Sequence, residues 1–260
     1  MNYGLYLSAS GVLTNMHRQD VIANNLANAN TVGFKRALSA FRQRDPQVIE
    51  DQLSSDAAQP VLDNMGGGVF ANRSPVDYTP GALDKTANDL DVAIRGDGFF
   101  AVRVTDRSGE SSLRFSRDGR FTLDASGKLV TTTGGHAVLD EDDNAVIIDR
   151  NTPVRIDSQG TLTQGGQTVA RLPIWRFADA QKLQQRGEGL FEASSQDVAG
   201  RKQSDATLQQ GWVEQSNVDP VREMTQLIEA TRAIANSANL IRYQDALLER
   251  AVNTLGRVPA

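Results

Sequence analysis

Near the amino end, Leu5, Ala9, Val12, Met16, Ala23 and Leu26 recur at alternating steps of four and three, interrupted by Gln19. Steps of that size place them on one face of a helix. The pattern predicts a helix over 4–27, about 36 Å long at 1.5 Å per residue. Asn28, Asn30 and Gly33 tolerate left-handed backbone angles and are placed to end it. A stronger pattern closes the chain. Leu227, Ile234, Ile241, Leu248 and Leu255 stand seven apart, with Ala230, Ser237, Gln244 and Ala251 on the alternate seam positions. Large residues on one row and small ones on the other allow close approach of another helix. Ala233, Leu240 and Leu247 widen the apolar stripe beyond a two-helix seam. Asp219 before Pro220 supplies an N-cap and a first-turn proline. The predicted helix, 220–255, is about 54 Å long. A hairpin of the two helices within one chain buries one face of each and leaves the wider stripe partly exposed.

Between the helices the period changes. Residues 36–75 are polar and poorly periodic, with Asp45-Pro46, Gln59-Pro60, Gly66-Gly67-Gly68 and Ser74-Pro75, and read as a connector. From 76 to 212 a period of two appears in Leu90–Arg95, Phe99–Val104, Leu113–Ser116, Arg120–Leu123, Lys128–Thr132, Ala145–Ile148, Pro153–Ile156 and Val169–Phe177. Glycine- and aspartate-rich turns separate these runs, as in an antiparallel β domain. Val92, Ile94, Phe99, Phe100, Val102, Phe115, Phe121, Leu123, Leu129, Leu172, Ile174 and Trp175 are its expected core. The fold class is therefore α+β. A discontinuous helical domain, 1–35 plus 215–260, brackets a connector and a central β domain over 76–212.

Composition narrows the function. With 27 basic against 32 acidic residues the net charge is -5, which argues against a nucleic-acid binder working by bulk electrostatics. The absence of cysteine excludes thiol catalysis, disulfides and cysteine-ligated metals. No apolar run approaches the ~20 residues of a membrane-spanning helix. The amino end lacks the early basic residue and unbroken apolar run of a cleavable signal. Two histidines, His17 and His136, stand apart in a helix pattern and a turn. Asp140-Glu141-Asp142-Asp143-Asn144 lacks the central glycine and terminal glutamate of a calcium loop and reads as a solvated hairpin tip. Gly96-Asp97-Gly98 precedes strand-like residues, not the helix a dinucleotide fingerprint needs. No catalytic, cofactor-binding or metal-ligating set emerges, and the chain does not read as an enzyme.

Four segments carry a resemblance. Ala23–Arg36, ANNLANANTVGFKR, and Glu214–Met224, EQSNVDPVREM, resemble the terminal signatures of bacterial flagellar rod and hook proteins. Leu90–Phe100, LDVAIRGDGFF, and Arg117–Leu129, RDGRFTLDASGKL, resemble that family's middle segments. The motif residues are Asn24, Asn25, Leu26, Asn28, Thr31, Gly33, Phe34, Ser216, Asn217, Val218, Pro220 and Met224. The resemblance implies a structural axial protein whose terminal helices pair into a coiled-coil-like domain lining a hollow, torque-transmitting tube. It implies no cofactor, and partners among other rod subunits, further copies, the surrounding ring proteins and the flagellar export apparatus. It places the chain in the basal body, exported without a cleaved signal peptide. The expected assembly surface is Leu5, Ala9, Val12, Met16, Ala23 and Leu26 with Leu227, Ala230, Ile234, Ser237, Ile241, Leu248, Ala251 and Leu255. Tyr78–Leu83 and Ser216–Met224 are closer to the proximal-rod member of the outer-rod pair. Ala23–Arg36 also suits the distal member, which stays an alternative beside a hook-type axial protein or a secreted β-domain binding protein. Ile234 stands where the family usually carries an aromatic residue.

Overall fold

The computed structural model describes residues 3–43, 68–105 and 109–255. The chain divides into two compact units. Unit 1 comprises 1–27, 37–75 and 219–260; unit 2 comprises 28–36 and 76–218.

In unit 1, helix α1 spans Tyr3–Ala27. Strands β1 (Ala40–Gln43) and β2 (Val69–Asn72) pair antiparallel, Ala40 opposite Asn72. The connector reading had no strands here. Nearly every residue of both is exposed, so neither carries the alternation that marks a half-buried strand. Asp45-Pro46, Gln59-Pro60 and Gly66-Gly67 lie outside the described residues.

Unit 2 is built from antiparallel strands. β3 (Leu83–Lys85), β4 (Val92–Arg95), β5 (Phe100–Thr105), β6 (Ser111–Ser116), β7 (Phe121–Leu123), β8 (Leu129–Thr131) and β9 (Ala137–Val138) come first. β10 (Val154–Ile156), β11 (Thr161–Gln164) and β12 (Gln167–Arg171) form a meander. β13 (Trp175–Arg176), β14 (Gln184–Arg186), β15 (Leu190–Glu192), the short helix α2 (Ser195–Ala199), β16 (Lys202–Gln203), β17 (Thr207–Gln210) and β18 (Trp212–Glu214) follow. The largest sheet runs β14-β15-β6-β5-β9-β8-β7, and β13–β16, β17–β4 and β18–β3 are two-stranded ladders.

The core lies on both sides of β5, because successive side chains point to opposite faces of a sheet. Phe100 and Val102 join one cluster with Val92, Ile94, Phe121, Leu129, Leu172 and Ile174. Phe99 and Ala101 join the other with Phe115, Leu139, Phe177 and Phe191. Both faces of the strand are buried, so the run is continuously apolar. Of the expected core residues, Leu123 and Trp175 are only half-buried.

Two strand expectations need correction. Ala145–Ile148 forms no strand and makes only the isolated bridges Leu139–Ala145 and Lys128–Ile147. The run Val169–Phe177 is divided between β12 and β13, with Pro173, which has no N–H to donate, in the gap. The Asp140–Asn144 tip is not merely solvated. Arg201 grips both carboxylate oxygens of Asp143 at 2.8 and 2.7 Å, and Arg171 pairs with Glu141 at 3.0 Å. The guanidinium of Arg201 also lies over the Trp175 ring at 4.3 Å, a cation–π contact.

Helix α3 closes unit 1 over Pro220–Leu255. As expected, Asp219 caps it, its Oδ1 accepting from the N–H groups of Val221 and Arg222.

Phe115 is fully buried and packs edge-on against Phe177, ring centroids 4.7 Å apart. Phe115→Ala is expected to destabilise unit 2 by about 3–5 kcal/mol through lost burial and the cavity left behind. Urea titration followed by tryptophan fluorescence measures it; a loss below about 1 kcal/mol contradicts this account of the core.

Candidate functional site

Two constellations stand out, one in each unit. In unit 1, α1 and α3 pack antiparallel in a regular register. A methyl group on Gly4 would meet the Gln244 amide, and one on Gly11 would lie 3.6 Å from Ser237 Oγ. Arg18 reaches Glu229 at 3.9 Å, and Asn25 Nδ2 donates to Glu223 Oε2 at 3.3 Å. Each step of seven along α1 is thus met by a step of six to eight along α3. The contact line is small or polar: Gly4, Gly11, Arg18 and Asn25 against Gln244, Ser237, Glu229 and Glu223. Ala230 on α3 is fully buried, and Ile22 and Thr14 on α1 are buried. Asn25 also binds the peptide of Ala37 through both ends of its amide, at 2.8 and 2.9 Å.

On α3 the expected seam positions Ala230, Ser237 and Gln244 do face α1, whereas on α1 the expected apolar face lies away from the contact line. At about 100° per residue, Leu5, Ala9, Val12, Met16 and Ala23 cluster about 130° round α1 from the Gly4–Gly11–Asn25 line. Leu5, Ala9, Val12 and Leu26 are half-buried, and Met16 and Ala23 are exposed. On α3, Leu227, Ile234, Ile241, Leu248, Ser237 and Ala251 are half-buried, flanking or joining the contact line. The side chain of Leu255 lies outside the described residues. Leu240, Tyr243 and Leu247 are 54%, 70% and 64% exposed, about 100° round α3 from the contact line. A second exposed group, Val221, Met224 and Ile228, lies about 160° from it. Sequence periodicity missed the Gly4–Gly11–Asn25 line because it contains almost nothing apolar.

In unit 2 a buried ion cluster gathers all four segments that carry the resemblance. Glu214 on β18 accepts at Oε1 from Lys35 Nζ at 2.6 Å and from Gly81 N–H at 2.9 Å. Its Oε2 accepts from Arg117 Nε at 2.5 Å. Arg117 then donates to the carbonyls of Gly98, Gly96 and Ile94 at 2.5, 2.6 and 3.3 Å. Lys35 donates to the Thr79 carbonyl at 2.8 Å. Lys35, Arg117 and Glu214 are 1%, 4% and 2% exposed. The Gly33 N–H donates to the Glu214 carbonyl at 2.7 Å. Gly33 has φ +70°, and a Cβ there would sit 2.5 Å from Asp118 N, so only glycine fits. Gly81 is equally confined, since a Cβ would collide with the Gln215 carbonyl oxygen.

Charge within the cluster follows from burial and partners. Burial alone would raise the Glu214 carboxyl, but Arg117 and Lys35 beside it hold it below the ordinary 4.5. Burial pushes the Lys35 ammonium below its ordinary 10.5 despite the opposing attraction of Glu214, and Arg117 adds to the depression. Lys35, Arg117 and Glu214 were each within the segments read from sequence, but none was singled out. They lie far apart in the chain and meet only in the fold.

The remaining motif residues fall into bonded, buried and exposed groups. Of Asn28, Asn30 and Gly33, only Gly33 takes a left-handed angle. Asn28 instead accepts from the N–H of Thr31 at its carbonyl, 3.0 Å, and from the Thr31 hydroxyl at Oδ1, 3.2 Å. Phe34 and Val218 are buried. Asn217 accepts from the N–H of Arg36 and donates to the carbonyls of Asp77 and Thr79. The hydroxyl of Ser216 accepts from Val218 N–H at 3.3 Å. Asn24, Pro220 and Met224 are exposed, the last belonging to the second exposed group on α3. Among the described residues no group of acidic or histidine side chains is arranged to hold a metal ion, and no helix is long and apolar enough to cross a membrane.

Within unit 1 the paired terminal helices leave large apolar residues exposed, the mark of a protein that assembles with others. Family models agree: flagella basal body rod protein matches 5–35, flagellar hook protein FlgE/F/G D1 domain matches 93–164, and flagellar basal body rod FlgEFG protein C-terminal matches 209–254. The chain is 36% identical to the flagellar basal-body rod protein FlgF of Caulobacter vibrioides over 99% of its length and all of that protein. It is 33% identical to FlgF of Mesorhizobium japonicum over 98% of its length and 99% of that protein. It is 34% identical to FlgG of Agrobacterium fabrum over 94% of its length and 95% of that protein. The chain belongs to the flagellar basal-body rod protein family.

Glu214→Gln leaves two buried cations without their anion and is expected to cost about 3–5 kcal/mol at neutral pH. In the parent, the unfolded chain binds the glutamate proton more readily than the folded chain. Stability from this group is therefore present above pH 4.5 and is lost as pH falls through the lower folded value. Denaturation curves across that range will show a shallower acid limb in Glu214→Gln; an unchanged limb rejects this role.

Proposed function

We propose that the chain is the FlgF-type subunit of the rod, placed in its proximal part, and that it polymerises through its terminal helices. The observation that carries this reading is the placement of apolar residues on the helix pair. Small and polar side chains make the contact within one subunit, while Leu13, Met16, Leu240, Tyr243 and Leu247 are left 48–70% exposed. Exposed apolar rows on two different flanks of α3 suit a subunit with more than one neighbour, as repeated heterologous contacts in a helical tube require. The expected surface of Leu5, Ala9, Val12, Met16, Ala23 and Leu26 with Leu227, Ala230, Ile234, Ser237, Ile241, Leu248, Ala251 and Leu255 is kept with one distinction. Ala230 and Ser237 serve the contact inside the subunit, and the outward rows serve its neighbours.

The FlgF assignment is supported by relatives of that name matching at 36% and 33% identity along essentially the whole chain. Of the motif residues, Asn28, Thr31, Gly33, Phe34, Ser216, Asn217 and Val218 belong to the β unit and Asn25 to the helix pair; the chain works without a cofactor and is not an enzyme. Its partners are other rod subunits, further copies and the export apparatus, with the surrounding rings as additional contacts; it binds no nucleic acid. It resides in the basal body and leaves the cytoplasm through the flagellar export route without cleavage of its amino end.

The test replaces Tyr243 and Leu247 together by Asp in a strain lacking the native subunit. Burying two unpartnered charges in an assembled contact is prohibitive, whereas both positions are exposed in the single chain. The expected outcome is loss of motility and at least tenfold less of the variant in purified basal bodies, with thermal unfolding of the isolated chain unchanged. Normal incorporation refutes assembly through this face.

A further inference from the structure

Unit 2 contains a cavity of about 240 Å³ that the rod reading does not use. Lys35, Arg117 and Arg176 are three basic residues among its lining, and Asp97 is the one acid there. Tyr78, Phe99 and Phe177 are the aromatic residues among the lining. The buried cluster to which Lys35 and Arg117 belong is itself unbalanced: two cations share the single carboxylate of Glu214. That carboxylate is engaged at both oxygens, by Lys35 and Gly81 on one and Arg117 on the other.

The cations are not saturated. An ammonium has three donors and a guanidinium five. Lys35 uses two, toward Thr79 and Glu214. Arg117 uses four, toward Glu214, Gly98, Ile94 and Gly96. One N–H on each therefore has no protein acceptor among the described residues. Arg176 on β13 is exposed and brings a further cation to the same cavity. Surplus positive charge, spare donors on two buried cations and aromatic walls make a receptor for one small anion with a flat apolar body.

We propose that this cavity binds a carboxylate, its oxygens taking the spare N–H donors of Lys35 and Arg117 and the charge of Arg176, and its hydrocarbon part lying against Tyr78 and Phe177. The same chemistry is available from a free carboxylic acid or from a glutamate side chain of another protein, and two probes separate them. The full chain is titrated with sodium benzoate and, separately, with the peptide acetyl-Gly-Glu-Gly-amide, followed by amide chemical shifts and by thermal unfolding at constant ionic strength. Benzamide, the neutral isostere, and sodium chloride are the controls.

Saturable shifts with benzoate alone assign the site to free acids, and saturable shifts with the peptide assign it to a side chain; either supports the proposal. Benzamide is expected to produce no saturable shift. Arg176→Gln, which leaves the Lys35–Arg117–Glu214 cluster intact, is expected to bind roughly tenfold more weakly, as loss of one charge-assisted hydrogen bond predicts. No saturation with either carboxylate, equal binding of benzamide, or unchanged affinity in Arg176→Gln overturns the proposal.

Discussion

Glu214 is the carboxylate on which unit 2 closes. Its two oxygens collect a lysine from residues 28–36, a backbone N–H from the Tyr78–Leu83 segment and an arginine from the turn after β6. That arginine reads three carbonyls of the Ile94–Gly98 loop. A buried charge is tolerable only where partners replace the water it has lost, so each of these contacts constrains the others. The irregular segments that meet here have few ladder hydrogen bonds of their own. Their conformations are set by the ions they surround, and the glycines at 33 and 81 are required because backbone passes too close for a side chain.

The helix pair follows a different rule. An amphipathic helix in a globular protein normally turns its apolar stripe to the core. Here α1 turns Gly4, Gly11, Arg18 and Asn25 toward α3, and the regular apolar stripe faces another way. Small residues bring the two backbones close, and the hydrogen bonds of Asn25 add direction where apolar packing is thin. A subunit built this way is joined in its own fold yet carries the apolar surface of a component that binds others. That division suits a member of the rod protein family.

Legibility in the sequence varied with the source of the signal. The helices were readable to within a residue because heptad steps and the Asp219–Pro220 cap are local. Strands β4, β5, β6 and β10 were readable because apolar runs end at glycine and aspartate turns. Strands β1 and β2 were not, since exposure on both faces removes alternation. β16, with only two residues, and β18, with three, are held by pairing with distant partners and have no internal period. The Asp140–Asn144 tip looked solvated because its anchors, Arg201 and Arg171, follow much later in the chain.

By itself the sequence determined the α+β class, the extents of both long helices, most of the β core and, through four separated segments, the family. These depend on period, capping and turn chemistry, which act between near neighbours. Only the tertiary structure decided which helix faces meet inside the subunit and which remain outward. It alone showed that the four segments converge on Glu214, with Lys35 and Arg117 as its counter-ions. Such contacts join residues up to 179 positions apart, and burial, not sequence spacing, makes their charges pair.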